Sequence, residues 1–207
     1  MRYDAADRAI KDMNRRNLRA FDRLKTIKFD ELNIIQTVTK IYDDSIRMAR
    51  LRYLQIATEA YIEALMLAGI ARKKAEEMAE ESITEDWILD MLEEYDPVTL
   101  YQFLPEAERK KQRAIEAIIS AHNKSEEIDK ALRYWTLQVA QYADKSVDEA
   151  TLDGYQAAGV KKVRWVTERD NKVCTTCEDL DDRIFAINKV PDKPHYRCRC
   201  ILLPVVD

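Results

Sequence analysis

The chain of 207 residues contains 46% hydrophobic and 35% charged residues, with only three glycines and five prolines. This composition is typical of a soluble, strongly helical protein, and it argues against a disordered or fibrous chain. The formal net charge of −4 is unevenly distributed, because residues 1–28 carry +5, residues 29–160 carry −11 and residues 161–207 carry +2.

The sequence also lacks signals for export or membrane insertion. No apolar run reaches the roughly 18 residues that a membrane-spanning helix needs, and the residues after Met1 lack the apolar core of a signal peptide. We therefore expect the protein to be made and kept in a reducing cytoplasm. There, four cysteines confined to the last 34 positions favour metal ligands or redox groups over a disulfide framework.

The first predicted element is a basic helix or arm over residues 1–28. Apolar residues recur there at helical spacing among nine Lys or Arg residues and four Asp or Glu residues. Such a segment can meet nucleic acid or an acidic protein surface, although a solvated helix face is the commoner role of surface charge.

A helical body is predicted over residues 29–159, and it begins with one long amphipathic helix. Asp30 occupies an N-cap position, and apolar residues then recur at three- to four-residue steps as far as Gly69. The apolar face of this helix needs partner helices, because an isolated helix gains little stability from propensity alone.

The middle of the body is acidic and is then broken by prolines. Residues 75–96 hold ten acidic residues and no basic one, a pattern that favours the solvated face of a short amphipathic helix over magnesium binding or acid–base chemistry. Asp96-Pro97 and Leu104-Pro105 then predict a helical-hairpin connection, because proline restricts the residue before it and cannot donate to a helix interior.

Two further helices are predicted at about residues 106–122 and 125–158, with their aromatic side chains in the core. His122, near the end of the first, is expected at the surface or in a helix cap. Gly159 predicts the end of the second helix.

Beyond the helical body the pattern changes. Residues 161–167 alternate in polarity, and residues 201–206 suit a second strand. The expected fold class is therefore mainly α, a long-helix bundle with a small C-terminal α+β zinc-knuckle module over residues 160–207.

Two cysteine-rich turns carry the chemistry of this module. Cys174 and Cys177 form a C-x2-C pair, and His195, Cys198 and Cys200 form an H-x2-C-x-C element further along. Two thiolates of one C-x2-C turn can reach a single ion at about 2.3 Å, and a second short turn closes a tetrahedron. Five donors are present for four positions. Alternate residues of a strand point to opposite faces, so the favoured set is the first pair, His195 and one of the last two cysteines.

A closed site with four protein ligands is typical of structural zinc, because catalytic zinc keeps an open position. Its binding free energy of about 10 to 16 kcal/mol can organise a tail with few large apolar groups. A redox dithiol is the first alternative, and it would place Cys174 and Cys177 at the N-terminus of a helix in a βαβ unit. Nothing after Cys177 predicts that helix. Unligated or disulfide-linked cysteines are the second alternative.

Catalytic motifs are lacking in the sequence. Two histidines do not assemble a Ser-His-Asp or Cys-His set, and three glycines leave no phosphate-binding loop. We therefore expect a protein that is not an enzyme.

The order of parts over residues 155–204 resembles the C-terminal region of the phage head morphogenesis family, the Mu F-like minor capsid proteins. In that family a helix ending in Ala-Gly leads into a Trp-bearing strand, an Asp before a C-x2-C turn, a short Phe-bearing strand, and an H-x2-C-R-C element before a final strand. Here those parts are Ala158-Gly159, Trp165, Asp170, Cys174 with Cys177, Phe185, His195 with Cys198-Arg199-Cys200, and Ile201 to Val205.

The chain departs from this family pattern at three places. Asp181-Asp182 replace the usual Gly between the two turns, and Tyr196 replaces the common Pro after His. An Arg-Thr-Glu triplet that many members carry on the preceding helix is also missing around residues 144–146. These departures affect the subgroup more than the family.

The resemblance implies a helical minor capsid protein that lies inside the phage head near the portal, after assembly in the host cytoplasm. Its partners would be portal or capsid subunits, and no membrane or small-molecule substrate is expected. Packaged DNA is a further candidate partner, and its binding would weaken steeply with salt. The arginines for that contact are Arg15, Arg16, Arg19 and Arg23.

A second hypothesis comes from a different functional class. A zinc-ribbon nucleic-acid-binding or regulatory protein would use basic and aromatic residues of the C-terminal module to contact its ligand. The candidates for that contact are Arg164, Trp165, Arg197 and Arg199.

Overall fold

The computed structural model describes residues 4–96, 100–195 and 198–206. Within these residues it contains seven α-helices, a short 3-10 turn and three strands. The elements are α1 (Asp4–Leu24), α2 (Glu31–Leu67), α3 (Arg72–Ser82), α4 (Glu85–Glu93), α5 (Phe103–Ser120), α6 (Lys124–Ala157), β1 (Lys162–Val166), α7 (Thr175–Leu180), β2 (Ile184–Ala186) and β3 (Ile201–Val205). The predicted class, mainly α with a small C-terminal α+β module, is confirmed.

The long helices α2 and α6 pack side by side at the centre, and both α1 and α5 pack against the pair. The predicted start of α2 is confirmed, since the Asp30 carboxylate accepts the Asn33 backbone N–H at 3.0 Å. Beyond the C-terminus of α2, Gly69 takes a positive φ of 92°, which suits glycine. Among the described helices, none is both long and apolar enough to cross a bilayer.

A chain of buried hydrogen bonds ties three helices together in the core. The indole N–H of Trp135 on α6 donates to Ser45 Oγ on α2 at 2.7 Å, and the Ser45 hydroxyl donates to Asn17 Oδ1 on α1 at 2.8 Å. All three side chains are buried. The basic N-terminal segment is therefore a helix that packs into the bundle through its apolar face.

Two details of the body differ from the sequence prediction. The predicted break at Leu104-Pro105 is wrong, because α5 begins at Phe103 and carries Pro105 in its first turn, where the missing N–H has no helical partner to lose. The acidic segment forms two short helices in place of one. Thr84 separates them and caps α4 by accepting the Trp87 N–H at 3.3 Å. Pro97 lies outside the described residues.

The C-terminal module contains an antiparallel sheet in the order β2-β1-β3. Val163 of β1 pairs with Phe185 of β2 and with Pro204 of β3. Val163 and Trp165 point into the core while Lys162 and Arg164 are exposed, as strand alternation requires. The predicted strands are confirmed within one residue of their ends, and Gly159 ends the helix before them with a φ of 76°.

The module rests on the ends of the central helices. A second apolar cluster joins Ala64 of α2 and Tyr155 of α6 to Trp165 and Leu202 of the sheet. The buried Tyr155 hydroxyl donates to the Leu202 carbonyl oxygen of β3 at 3.0 Å. The position of the sheet is therefore set by the helical body as well as by the module itself.

Gly154 marks a close crossing of α2 and α6. A Cβ at this position would lie 2.8 Å from Ala64 Cβ and 2.9 Å from the Tyr61 carbonyl oxygen. We expect Gly154→Ala to lower the free energy of unfolding by about 1–2 kcal/mol, because overpacking exceeds the gain of up to about 1 kcal/mol in helix propensity. Urea unfolding measures this, and the double variant with Ala64→Gly should recover part of the loss. A more stable Gly154→Ala protein would contradict the close crossing.

Candidate metal centre

The C-x2-C pair lies on the first turn of α7. Cys174 is the N-cap residue, and its Sγ accepts the backbone N–H of Cys177 at 3.4 Å. Cys177 is the third residue of the helix, so both sulfurs face the same side of one turn. Two sulfurs placed in this way on one short turn can reach a single metal ion.

Two ion pairs fix the loop between β1 and α7. Asp181, just after α7, accepts the Thr167 backbone N–H at 2.8 Å and binds Arg169 Nε at 3.0 Å. Asp170 then holds Arg199 through both carboxylate oxygens, at 2.8 and 2.9 Å. Since Arg199 lies between the last two cysteines, this pair draws the second cysteine element towards the first.

The donors of the two elements meet at one place. Cys174, Cys177 and His195 offer ligand atoms that all lie within 4.8 Å of one another, and so do Cys177, Cys198 and Cys200. The Sγ of Cys177 lies 3.3 Å from His195 Nε2 and 3.5 Å from Cys198 Sγ. Cys177 therefore belongs to both groups, and all five predicted donors converge on its sulfur.

The prediction that Cys198 and Cys200 point to opposite faces of a strand is wrong. Strand alternation does not apply to them, because both precede β3, which begins at Ile201. Both side chains are buried, and both sulfurs lie within 4.8 Å of Cys177. The two groups of three donors share Cys177, and the choice of four ligands among the five donors stays a prediction.

The expectation that no helix follows the C-x2-C pair is also wrong. The helix α7 spans six residues, and the signals for it are local, namely a capping side chain at Cys174 and the acidic Glu178 in the first turn. The βαβ setting of a redox dithiol is nevertheless not present in the described sheet, whose strand pairs are antiparallel. All four cysteines are free.

The pKa values of the three buried thiols depend on one another. Hydrogen bonding from Cys198, together with Cys177, Trp165 and Lys193, lowers the pKa of Cys200 to about 6, although burial opposes this change. The same hydrogen bond, together with burial, raises the pKa of Cys198. Burial raises the pKa of Cys177 to about 12. Cys200 thus has the lowest pKa of the three thiols, and a bound cation would favour ionisation of all of them.

One buried donor fits a metal-bound thiolate. Trp165 is fully buried, and its indole Nε1 has no partner at conventional hydrogen-bond geometry within the described part of the chain. Its N–H lies near enough to the Cys200 sulfur to lower the pKa of that thiol. A thiolate held on a metal would give this N–H an acceptor, so the residues present fit a cysteine-rich metal site.

The residues proposed for a nucleic-acid ligand are distributed differently. Trp165 faces the core, so it cannot stack on a base, and this part of the second hypothesis is wrong. Arg164 is exposed and lies 3.9 Å from Asp182, while Arg199 is paired with Asp170. Arg197 lies outside the described residues.

The remaining charged and histidine candidates lie on the surface. The four arginines proposed for DNA contact are exposed on α1, and Arg16 Nε lies 3.2 Å from Asp12. His122 is exposed, as predicted, and the cap of α6 is its neighbour Asn123, which accepts the Glu126 N–H at 3.3 Å. These arginines are not part of the metal centre.

The sequence prediction missed Lys193. Its Nζ donates to the Cys200 carbonyl oxygen, lies 3.6 Å from Asp148 of α6 and lies 5.0 Å from the centroid of the Trp165 ring. The only signal in the sequence is its position two residues before His195, which gives no sign of these tertiary contacts.

Comparison of the whole chain with known protein families, with curated proteins and with solved structures gave no match.

Proposed function

We propose that the protein is a structural component of a phage head, a minor capsid protein of the head morphogenesis type with one structural zinc ion in its C-terminal module. The observation that supports this most is the convergence of five Cys and His donors from two separate turns. These turns follow in the order that the family resemblance implies. The Trp-bearing strand β1 precedes the first turn, and the Phe-bearing strand β2 lies between the two turns.

Zinc is favoured by the distances and by the donor types. Sulfurs at about 2.3 Å from a tetrahedral ion lie about 3.8 Å apart, and a sulfur and an imidazole nitrogen lie about 3.6 Å apart. The Cys177 sulfur lies 3.5 Å from Cys198 Sγ and 3.3 Å from His195 Nε2, close to those edges. Thiolate and imidazole ligands in a tetrahedron select zinc over the hard cations magnesium and calcium.

A structural role follows from the number of donors. Four protein ligands close a tetrahedron and leave no position for water or substrate, and here five are available. The proposed ion then stabilises the module and holds its sheet on α2 and α6. Ala64 of α2 and Tyr155 of α6 form the apolar contact with the sheet. We propose an assembly role without catalysis.

The proposed partners are portal or capsid subunits inside the head. Helical bundles can bind other helical proteins through the exposed faces of their helices. Most of this chain consists of helices whose outer faces could serve as such a binding surface. Packaged DNA is a second proposed partner, because four arginines are exposed along α1, namely Arg15, Arg16, Arg19 and Arg23. That contact should weaken steeply with salt, and a salt-insensitive or absent interaction removes it.

The test compares portal binding with nucleic-acid binding. The chain and the portal protein of the same phage are purified and mixed, and complexes are measured by size-exclusion chromatography with light scattering. We expect wild type and Arg164→Glu to form the same portal complex, because Arg164 lies on the exposed face of β1 and not in the core. Failure to bind portal or capsid subunits, with tight nucleic-acid binding that Arg164→Glu abolishes, would favour the zinc-ribbon alternative.

A further inference from the structure

Building on the proposed zinc site, we propose that Lys193 and Trp165 are positioning residues of the metal centre, which orient Cys200 and offset the negative charge of the bound thiolates. Neither residue ligates the ion in this proposal. Lys193 supplies a cation on one side of Cys200, and Trp165 supplies an indole N–H. Together they decide how tightly the ion is held and fasten the centre to α6.

Lys193 is placed by three contacts from different elements. Its side chain is only 14% exposed, and its Nζ donates to the Cys200 carbonyl oxygen. The same ammonium lies 3.6 Å from Asp148 of α6 and 5.0 Å from the centroid of the Trp165 ring. A lysine that needed only solvation would extend into water, so this arrangement indicates a cation held against the thiol cluster.

The charge of the centre explains the need for this cation. A zinc ion with three or four thiolates carries a net charge of about −1 or −2. Cys177, Cys198 and Cys200 are buried, and an uncompensated anion in such a place is costly. The Lys193 ammonium, held at the Cys200 backbone, offsets part of that charge.

Trp165 is the second residue proposed to orient Cys200. The ring is held in the core by an edge contact with Phe185, with centroids 6.5 Å apart and planes at 72°. The indole N–H lacks a conventional partner among the described residues, and Trp165 shares its apolar cluster with Cys177, Cys198 and Cys200. Hydrogen bonds to ligand atoms orient them and typically change metal affinity by about 10–100-fold when they are removed.

The decisive experiment uses the full chain and Zn²⁺ in competition with a chromophoric chelator. Lys193→Met keeps most of the side-chain length and removes the charge, so we expect zinc to bind about 10–100-fold more weakly. Lys193→Arg retains the cation and should bind within about threefold of wild type. Lys189→Met, at an exposed position in the same loop, is the matched control and should bind as wild type does.

Trp165→Phe gives an independent readout. Phenylalanine keeps an aromatic ring in the core and removes the N–H together with part of the indole. The thiolate-to-metal charge-transfer band of the Co²⁺-substituted protein should therefore shift while the helical circular dichroism stays the same. An unchanged band with Trp165→Phe, or equal zinc affinity of Lys193→Met and wild type, would overturn the positioning role of that residue. Absence of zinc binding by wild type would instead overturn the proposed zinc site itself.

Discussion

Cys177→Ser is expected to leave the purified chain without tightly bound zinc and with a C-terminal module that no longer folds. Cys177 belongs to both donor groups, and its sulfur contacts both His195 and Cys198. A serine hydroxyl is a poor zinc ligand, and the binding free energy of about 10–16 kcal/mol that it forfeits exceeds what a small module can supply by packing. Elemental analysis measures the metal, and amide hydrogen exchange over residues 160–206 measures the fold.

Two sets of variants serve as controls for this result. Thr176→Ser changes an exposed residue of the same turn and should leave zinc and fold intact. Single losses of Cys174 or His195 should be milder than the loss of Cys177, because Cys177, the donor that belongs to both groups, is retained in each case. Stoichiometric zinc in Cys177→Ser, bound as tightly as in wild type, would show that this sulfur is not a ligand.

Tyr155→Ala is expected to release the module from the helical body at a cost of about 3–5 kcal/mol in the free energy of unfolding. The ring of Tyr155 is fully buried in the apolar cluster that α2 and α6 share with the sheet. Its hydroxyl also donates to the Leu202 carbonyl oxygen at 3.0 Å. Removing the ring therefore leaves a cavity at the junction and removes the hydrogen bond to the Leu202 carbonyl oxygen.

Tyr155→Phe separates these two effects. It keeps the ring and removes the hydroxyl, so the expected loss is only about 1–3 kcal/mol. Urea unfolding gives both values, and limited proteolysis reports whether residues after Gly159 become accessible. If Tyr155→Ala unfolds at the same urea concentration as wild type and its module stays protected, the junction does not stabilise the module.

The helices were largely predictable because their signals are local. The periodicity after Asp30 and the side-chain cap at that residue both reappear in α2, and Gly159 ends α6 as expected. Pro105 misled the prediction because a proline in the first turn of a helix and a proline that breaks one look alike in a short window. The packing of α1 into the bundle depends on the hydrogen bond between Asn17 and Ser45. No local sequence pattern predicts this contact between two helices.

In the metal centre, too, the features set by local sequence were predictable, and the features set by tertiary contacts were not. The spacing of C-x2-C and H-x2-C-x-C identified all five donors, because short turns constrain which atoms can share an ion. The expected opposition of Cys198 and Cys200 failed because β3 begins at Ile201, so neither cysteine lies on the strand. Lys193 and the indole N–H of Trp165 could not be assigned, since their roles depend on the docking of a loop onto α6.

Zinc content and hydrogen exchange of the reduced wild-type chain test the central claim together. We expect one zinc per chain in purified protein, and we expect amide protection over residues 160–206 to fall when a strong chelator removes the metal, while protection of α2 and α6 persists. A reduced chain that contains no metal yet keeps the same protection in that module would contradict the account.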